Sequence, residues 1–228
     1  VEALLKQKQF TQAEHFLRGL LDKRFVSWAQ TALHRIDLMQ EKYESAEIGL
    51  KDVLMKDPNL VEAYDYLFEA LLALDKEDEL QTWLEQAVVR APKNIERQRK
   101  LIQVAQQNLD YRRASTGLRD VLNMSLNTMH ENVGVFQEYI TNLQMESQHS
   151  DSDQRKREIS KEISSVNRRM NERYANDPNS RLFSKALSIR NTKDMKSPKA
   201  HDATNELLTQ TFEYLDDIVS DTALFICE

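Results

Sequence analysis

A pattern that recurs every 34 residues constrains this chain more than any other feature. Lys42-Tyr43-Glu44-Ser45-Ala46 leads to Leu50, Val53 and then Asp57-Pro58-Asn59. One period later Leu80, Leu84 and Ala87 are followed by Ala91-Pro92, and a further period on Tyr111, Ala114, Leu118 and Val121 fill the same slots. A period of this length holds two helices and their turns, so it marks stacked helix–turn–helix units that bury their apolar faces only against one another. Such stacks present extended surfaces suited to holding other polypeptides.

Composition agrees with an all-α chain. Glycine and proline number only four each, while charged residues make up 30 %; too few turn formers remain for a strand-rich fold. Gly19, Gly49, Gly117 and Gly134 fall inside helical patterns, and Pro58 and Pro92 fall at repeat ends, where a new helix must begin. The net charge of −6 is unevenly spread. Residues 154–200 carry 13 Lys/Arg against 5 Asp/Glu, whereas residues 201–228 carry 7 Asp/Glu and no Lys/Arg. Two oppositely charged segments with apolar stripes are expected to pack together. The single cysteine, Cys227, excludes an internal disulfide and fits a reducing, cytoplasmic location. No apolar run approaches bilayer length and no export signal opens the chain; Val1 stands in mid-helix, so the chain reads as a fragment.

Helical spacing divides residues 1–126 into a partial unit (1–26) and three full units (27–60, 61–94 and 95–126). The first helices carry Ala29, Leu33 and Ile36, then Ala63, Tyr64, Leu67, Ala70 and Leu71, then Leu101, Val104 and Ala105. Residues 127–228 continue with longer, less regular helices. Val133, Phe136, Ile140 and Leu143 stripe one, and residues 147–153 read as a loop. Ile159, Ile163, Val166, Met170 and Tyr174 stripe a long basic helix. Asp177 and Pro178 suit an N-cap and a first helical position before Leu182, Phe183, Ala186 and Leu187. A lysine-rich linker over 191–200 precedes a last helix over 203–226, striped by Leu208, Phe212, Leu215 and Val219.

These residues resemble the tetratricopeptide repeat (TPR) family. Ala46 and Ala114 hold its small-residue slot, Tyr43 and Tyr111 its aromatic turn position, and Pro58 and Pro92 its closing proline. His34, Phe68 and Ile102 depart from it, standing where the family prefers a small residue. The resemblance implies a TPR-type superhelix of helix pairs with a degenerate long-helix extension. The whole chain is similar to the C-terminal TPR region of bacterial response regulators that carry a CheY-like receiver. That likeness implies the output or scaffolding part of a two-component system, without a receiver or phosphoacceptor in these residues. A stand-alone TPR adaptor or chaperone-type protein is the alternative.

Chemistry is sparse. His15, His34, His130, His149 and His201 are never close enough in sequence to form a local ligand pair, and nucleophile and phosphate-loop motifs are absent. No enzyme activity, catalytic residue, metal or cofactor is therefore expected, and the acidic run from Asp75 to Glu79 reads as an interhelix turn. The basic helix 155–173 raises nucleic-acid binding as a weaker alternative, set against its interleaved Glu158, Glu162 and Glu172. In TPR proteins the first helix of each pair lines the peptide groove. That places Trp28, Thr31, Arg35 and Leu38 there, then Glu62, Asp65, Glu69 and Leu72, then Glu96, Arg99, Gln103 and Gln106. Trp28 either supplies a binding hot spot or seals the preceding partial pair. Arg35 and Lys100 match two slots of the carboxylate clamp for chaperone tails, but Thr31, Tyr66 and Glu96 do not. The expected partner is a protein or peptide, with a homodimer through the C-terminal helices as a further expectation; the apolar end of the chain, Ala223 to Cys227, is expected to be buried against the body, to form a dimer contact or to mark a truncation within a longer array.

Overall fold

The computed structural model describes residues 1–192 and 197–214, together with Thr222, Phe225 and Ile226. Among them twelve α-helices and no strand occur: α1 (Glu2–Lys6), α2 (Phe10–Leu21), α3 (Ser27–Met39), α4 (Tyr43–Lys56), α5 (Val61–Ala73), α6 (Glu77–Arg90), α7 (Ile95–Gln107), α8 (Tyr111–Ser125), α9 (Val133–His149), α10 (Asp153–Arg173), α11 (Pro178–Arg190) and α12 (Pro198–Glu213). The chain is all-α, with successive helices packed in pairs, and it divides into two compact units, residues 1–108 and 109–228.

In the first unit the repeat is written into the backbone as well as the side chains. Lys8, Glu41 and Asp75 adopt left-handed φ values of 55°, 61° and 53°. Each sits just past a first helix and closes it with the paired bonds of a Schellman turn. The Glu41 and Lys42 N–H groups donate to the Leu38 and Asp37 carbonyls at 2.9 and 2.8 Å. The Lys8–Gln9 and Asp75–Lys76 turns repeat the arrangement. Leu109, which opens the second unit, has φ 59° and keeps the same spacing. None of these residues is glycine, so the recurrence leaves no residue-type signature in the sequence. Helices joined by such tight turns fold back on one another, and α2 to α6 each pack on the next, while α3 also packs on α5.

The striped residues form the core. Ala46, Leu50, Val53, Leu67, Ala70, Leu71, Leu80, Leu84 and Ala87 are buried in one cluster, and Leu5, Ala13, Leu17, Ala29 and Ile36 in another. His34 fits a small-residue slot because Gly49 faces it. A Cβ on Gly49 would lie 2.0 Å from the His34 ring. The ring is held by Asp37 Oδ2 at 3.0 Å from Nδ1, with Gln30 Nε2 3.4 Å from Nε2.

Between repeats, the Pro58 carbonyl accepts from Tyr64 Oη at 3.2 Å and Arg90 Nε at 2.8 Å. Glu47, buried on α4, joins Lys51 at 2.7 Å and Lys76 at 2.7 Å, and Lys51 reaches Glu79 at 2.5 Å. Burial pushes the Glu47 carboxyl upward, but the hydrogen bonds from Lys51 and Lys76 outweigh it and hold the group below its ordinary range. The acidic run thus serves as a helix start: Glu77, Asp78 and Glu79 occupy the first turn of α6, where negative charge suits the helix dipole.

The second unit is built differently. Its core holds Leu118, Val121, Phe136, Tyr139, Ile140, Leu143, Ile159, Val166, Met170, Leu182 and Phe183, all buried, and α9 packs on α8, α10 and α11. Buried polar groups lie among them. Asn142 Nδ2 donates to the Tyr111 carbonyl at 2.9 Å and to Ser115 Oγ at 2.8 Å. Gln137 Nε2 donates to Thr222 Oγ1 at 2.8 Å and to the Asn179 carbonyl at 3.2 Å. Asp177 caps α11, accepting from the Asn179 N–H at 2.7 Å, with Pro178 in the first turn.

Three expectations are corrected here. The loop expected over 147–153 contracts, because α9 continues to His149 and only Ser150 to Ser152 separate it from α10. Helix α12 begins at Pro198, inside the expected linker, where Ser197 Oγ caps the Ala200 N–H at 3.3 Å. Leu207, not Leu208, faces inward: Leu207 is buried and Leu208 exposed, a choice between adjacent leucines that spacing alone does not make. The expected stripe positions Leu215 and Val219, and Ala223, Leu224 and Cys227 of the apolar terminus, lie outside the described residues. Phe225 is buried and stacks on Phe183 at 4.0 Å between ring centroids.

Candidate functional site

On α3, Trp28, Thr31, Ala32 and Arg35 are spaced to share one face, as are Glu62, Asp65, Tyr66 and Glu69 on α5. Because α3 packs on α5, the two faces adjoin. They meet helices α1 and α2 around a cavity of about 500 Å³ whose lining includes Phe16, Trp28, Thr31, Arg35, Glu62 and Tyr66. Trp28 is 50 % exposed and Phe16 53 %, large apolar areas left open to solvent beside charged groups.

The polar edge of the cavity is tightly organised. Arg35 Nη1 pairs with Glu2 Oε1 at 2.5 Å, and its guanidinium lies 5.5 Å from the centroid of the Tyr66 ring. Tyr66 Oη donates to Glu62 Oε1 at 3.0 Å. Burial, then this bond to a carboxylate, pushes the phenol up to about 12, so it acts as a neutral donor throughout the physiological range.

The structure sorts the expected groove residues. Trp28, Thr31, Arg35 and Glu62 come together at this cavity. Thr31 is buried, its Oγ1 donating to the Ser27 carbonyl at 3.0 Å, so it contributes shape rather than a hydrogen bond. Leu38 is half-buried against the core. Asp65 is engaged by Arg97 in a bidentate pair, 2.9 Å from Nε and 2.6 Å from Nη2, which ties α5 to α7. Glu69, Leu72, Glu96, Arg99 and Gln103 are exposed and Gln106 half-buried, none of them at the cavity. Lys100 lies 5.0 Å from the Phe68 ring centroid. Sequence reasoning missed Phe16 and Glu2. Phe16 adjoins the buried Leu17 on α2, and helical spacing at that place identifies the core residue rather than its exposed neighbour.

The basic helix α10 spends much of its charge within its own unit. Arg155 Nε donates to Glu146 at 2.7 Å, and Arg173 binds Glu131 at 2.5 Å and Asn127 Oδ1 at 2.8 Å. Glu162 takes hydrogen bonds from Tyr139 and from Arg119, whose Nη2 is 2.9 Å away. Lys185 on α11 pairs with Glu206 on α12 at 2.6 Å, linking the basic and acidic segments. Among the described residues no cluster of three or more His, Cys, Asp or Glu could hold a metal ion, and no helix is long and apolar enough to cross a membrane.

No protein-family model matches the sequence, and no curated protein does. Solved structures do. YrrB, a TPR protein with an unusual peptide-binding site, is similar with a TM-score of 0.54 at 11 % identity, over 89 % of this chain and 95 % of that one. A TPR protein from Parabacteroides merdae gives 0.52 at 10 % identity, over 98 % and 80 %. This chain has the TPR fold. MamA is similar as well, with a TM-score of 0.51 at 13 % identity over 75 % of this chain and 86 % of that chain.

Proposed function

We propose that this TPR chain is a protein–protein interaction module, without catalytic activity, that holds a partner polypeptide on the adjoining faces of α3 and α5. One observation carries the reading: half-exposed Trp28 and Phe16 share a cavity with Tyr66, Arg35 and Glu62. Aromatic and arginine side chains in a pocket are the composition of binding hot spots, because they bury large areas at small cost in side-chain entropy. The peptide-binding site of YrrB on the same fold supports it. The test takes peptides selected from a random display library against the whole chain. Trp28→Ala should weaken them about 30-fold, while Met129→Ala, at an exposed residue of the other unit, should change nothing. Peptides that bind Trp28→Ala and Arg35→Ala as tightly as the parent chain would overturn the reading.

The finer reading makes the module the output or scaffolding part of a bacterial receiver–TPR response regulator, acting in the cytoplasm. Likeness in the long, less regular tail helices supports it. Sequence encoded upstream of Val1 tests it: a receiver with a phosphoacceptor aspartate supports the assignment, and its absence leaves a stand-alone adaptor. Under the same proposal residues 1–126 form the repeat array and 127–228 its extension, and the C-terminal helices are the surface for self-association. The carboxylate pairs of Arg155 and Arg173 weigh against nucleic-acid binding by α10.

A further inference from the structure

A second cavity, of about 510 Å³, lies in the second unit and contains a buried carboxylate that lacks half of its partners. Glu146, on α9, lines it and is only 5 % exposed. Its Oε1 accepts from Arg155 Nε at 2.7 Å, whereas the buried Oε2 has no hydrogen-bond partner. A carboxylate accepts through both oxygens, and one held out of water with an oxygen unpaired calls for an N–H or O–H donor.

The surroundings specify what kind of donor. Asp110 and Glu158 join Glu146 around the cavity against Arg112 and Arg155, so carboxylates outnumber guanidiniums three to two. Arg155 is already committed to carboxylates, with Glu158 3.5 Å away. One wall is aromatic: the Tyr111 and His149 rings lie 4.7 Å apart between centroids. His149 Nδ1 is engaged by the Met145 carbonyl at 2.9 Å and acts there as donor. A negative balance, an unsatisfied acceptor and an aromatic wall together suit a cationic head on an aliphatic stem.

The geometry points to this cavity as the seat for a lysine or arginine side chain of a bound polypeptide. The inference rests on the reading of the chain as a polypeptide-binding module, and it assigns the second unit a recognition element of its own.

The experiment titrates the whole chain with Nα-acetyl-lysine amide and with Nα-acetyl-norleucine amide, which keeps the stem and lacks the ammonium. The side-chain NMR resonances of Tyr111 and His149 report on the cavity. The lysine derivative should shift both saturably and bind at least about tenfold more tightly than the norleucine derivative. Glu158→Gln, at a half-exposed rim residue, should weaken it about threefold. Glu146→Gln should abolish the response. Because that change also removes a partner of Arg155, the norleucine comparison and Glu158→Gln carry the test if the variant fails to fold. Equal affinity for both derivatives, or no shift from the lysine derivative, would overturn the inference. A lysine response that persists while selected peptides ignore Trp28 would retain this site and sink the α3/α5 reading instead.

Discussion

The two units solve the same packing problem by different means. Helices α1 to α6 of the first unit begin without a side-chain cap, and α1, α3 and α5 are closed by left-handed turn residues and backbone bonds. In the second unit α8 to α12 all begin with a capping side chain, from Asp110, Asn132, Ser152, Asp177 and Ser197. Buried polar residues follow the same division. Thr31, Glu47 and Gln98 are the described ones in the first unit, against Ser115, Ser125, Gln137, Asn142, Glu146, Asn179, Ser180 and Thr222 in the second. A repeating array gains its register from identical neighbours. Helices of unequal length have no such template, and side-chain hydrogen bonds that fit at one place only can specify their positions.

The largest expected effect lies in the polar interior of the second unit. Asn142→Ala should destabilise the chain by about 2 kcal/mol, because it removes two hydrogen bonds from the buried interior, to the Tyr111 carbonyl and the Ser115 hydroxyl. Thr31→Val, at a buried polar residue of the first unit whose bond is local, should cost about 0.5 kcal/mol or less. Equal shifts in denaturation midpoint would erase the contrast.

Next comes Gly49→Ala. Helix propensity alone favours alanine by about 1 kcal/mol. The collision with His34 should instead give a net loss of about 1–2 kcal/mol, relieved in the double variant with His34→Ala. A stabilised single variant would refute the placement of the ring. Ser152→Ala should cost about 1 kcal/mol through the lost α10 cap, while Lys76→Ala at the α6 start removes no cap and should change stability only through the Glu47 pairing. In a Glu47→Gln background Lys76→Ala should therefore change stability little. The smallest effect is a gain. Glu41→Gly should stabilise by about 0.5 kcal/mol, since only glycine accepts the left-handed turn without strain, and thermal unfolding would register it.

Legibility in the sequence followed the same division. Residues such as Ala46, Leu50 and Leu84 announce themselves because a buried stripe must recur at helical spacing. The left-handed positions do not, since Lys8, Glu41, Asp75 and Leu109 share a conformation and no chemistry. Glu47 reads as a surface residue until Lys51 and Lys76 converge on it, and Lys76 stands 29 positions away. At the candidate site, Trp28 and Arg35 follow from repeat alignment, but Glu2 and Phe16 reach the cavity from other helices. Asp65 aligned as a groove residue, and only folding reveals its commitment to Arg97. Glu146 was invisible for a related reason: a carboxylate on an amphipathic helix carries no mark of burial.

The His34–Gly49 pair also restricts the order in which substitutions can reach it. Any side chain at 49 collides with the ring, so a histidine arriving first meets a clash in the packed interior. A glycine arriving first costs about 1 kcal/mol of helix propensity and leaves a small void that histidine then fills. One route crosses a shallow dip in stability and the other a steep one. The contact therefore favours the route on which glycine comes before histidine.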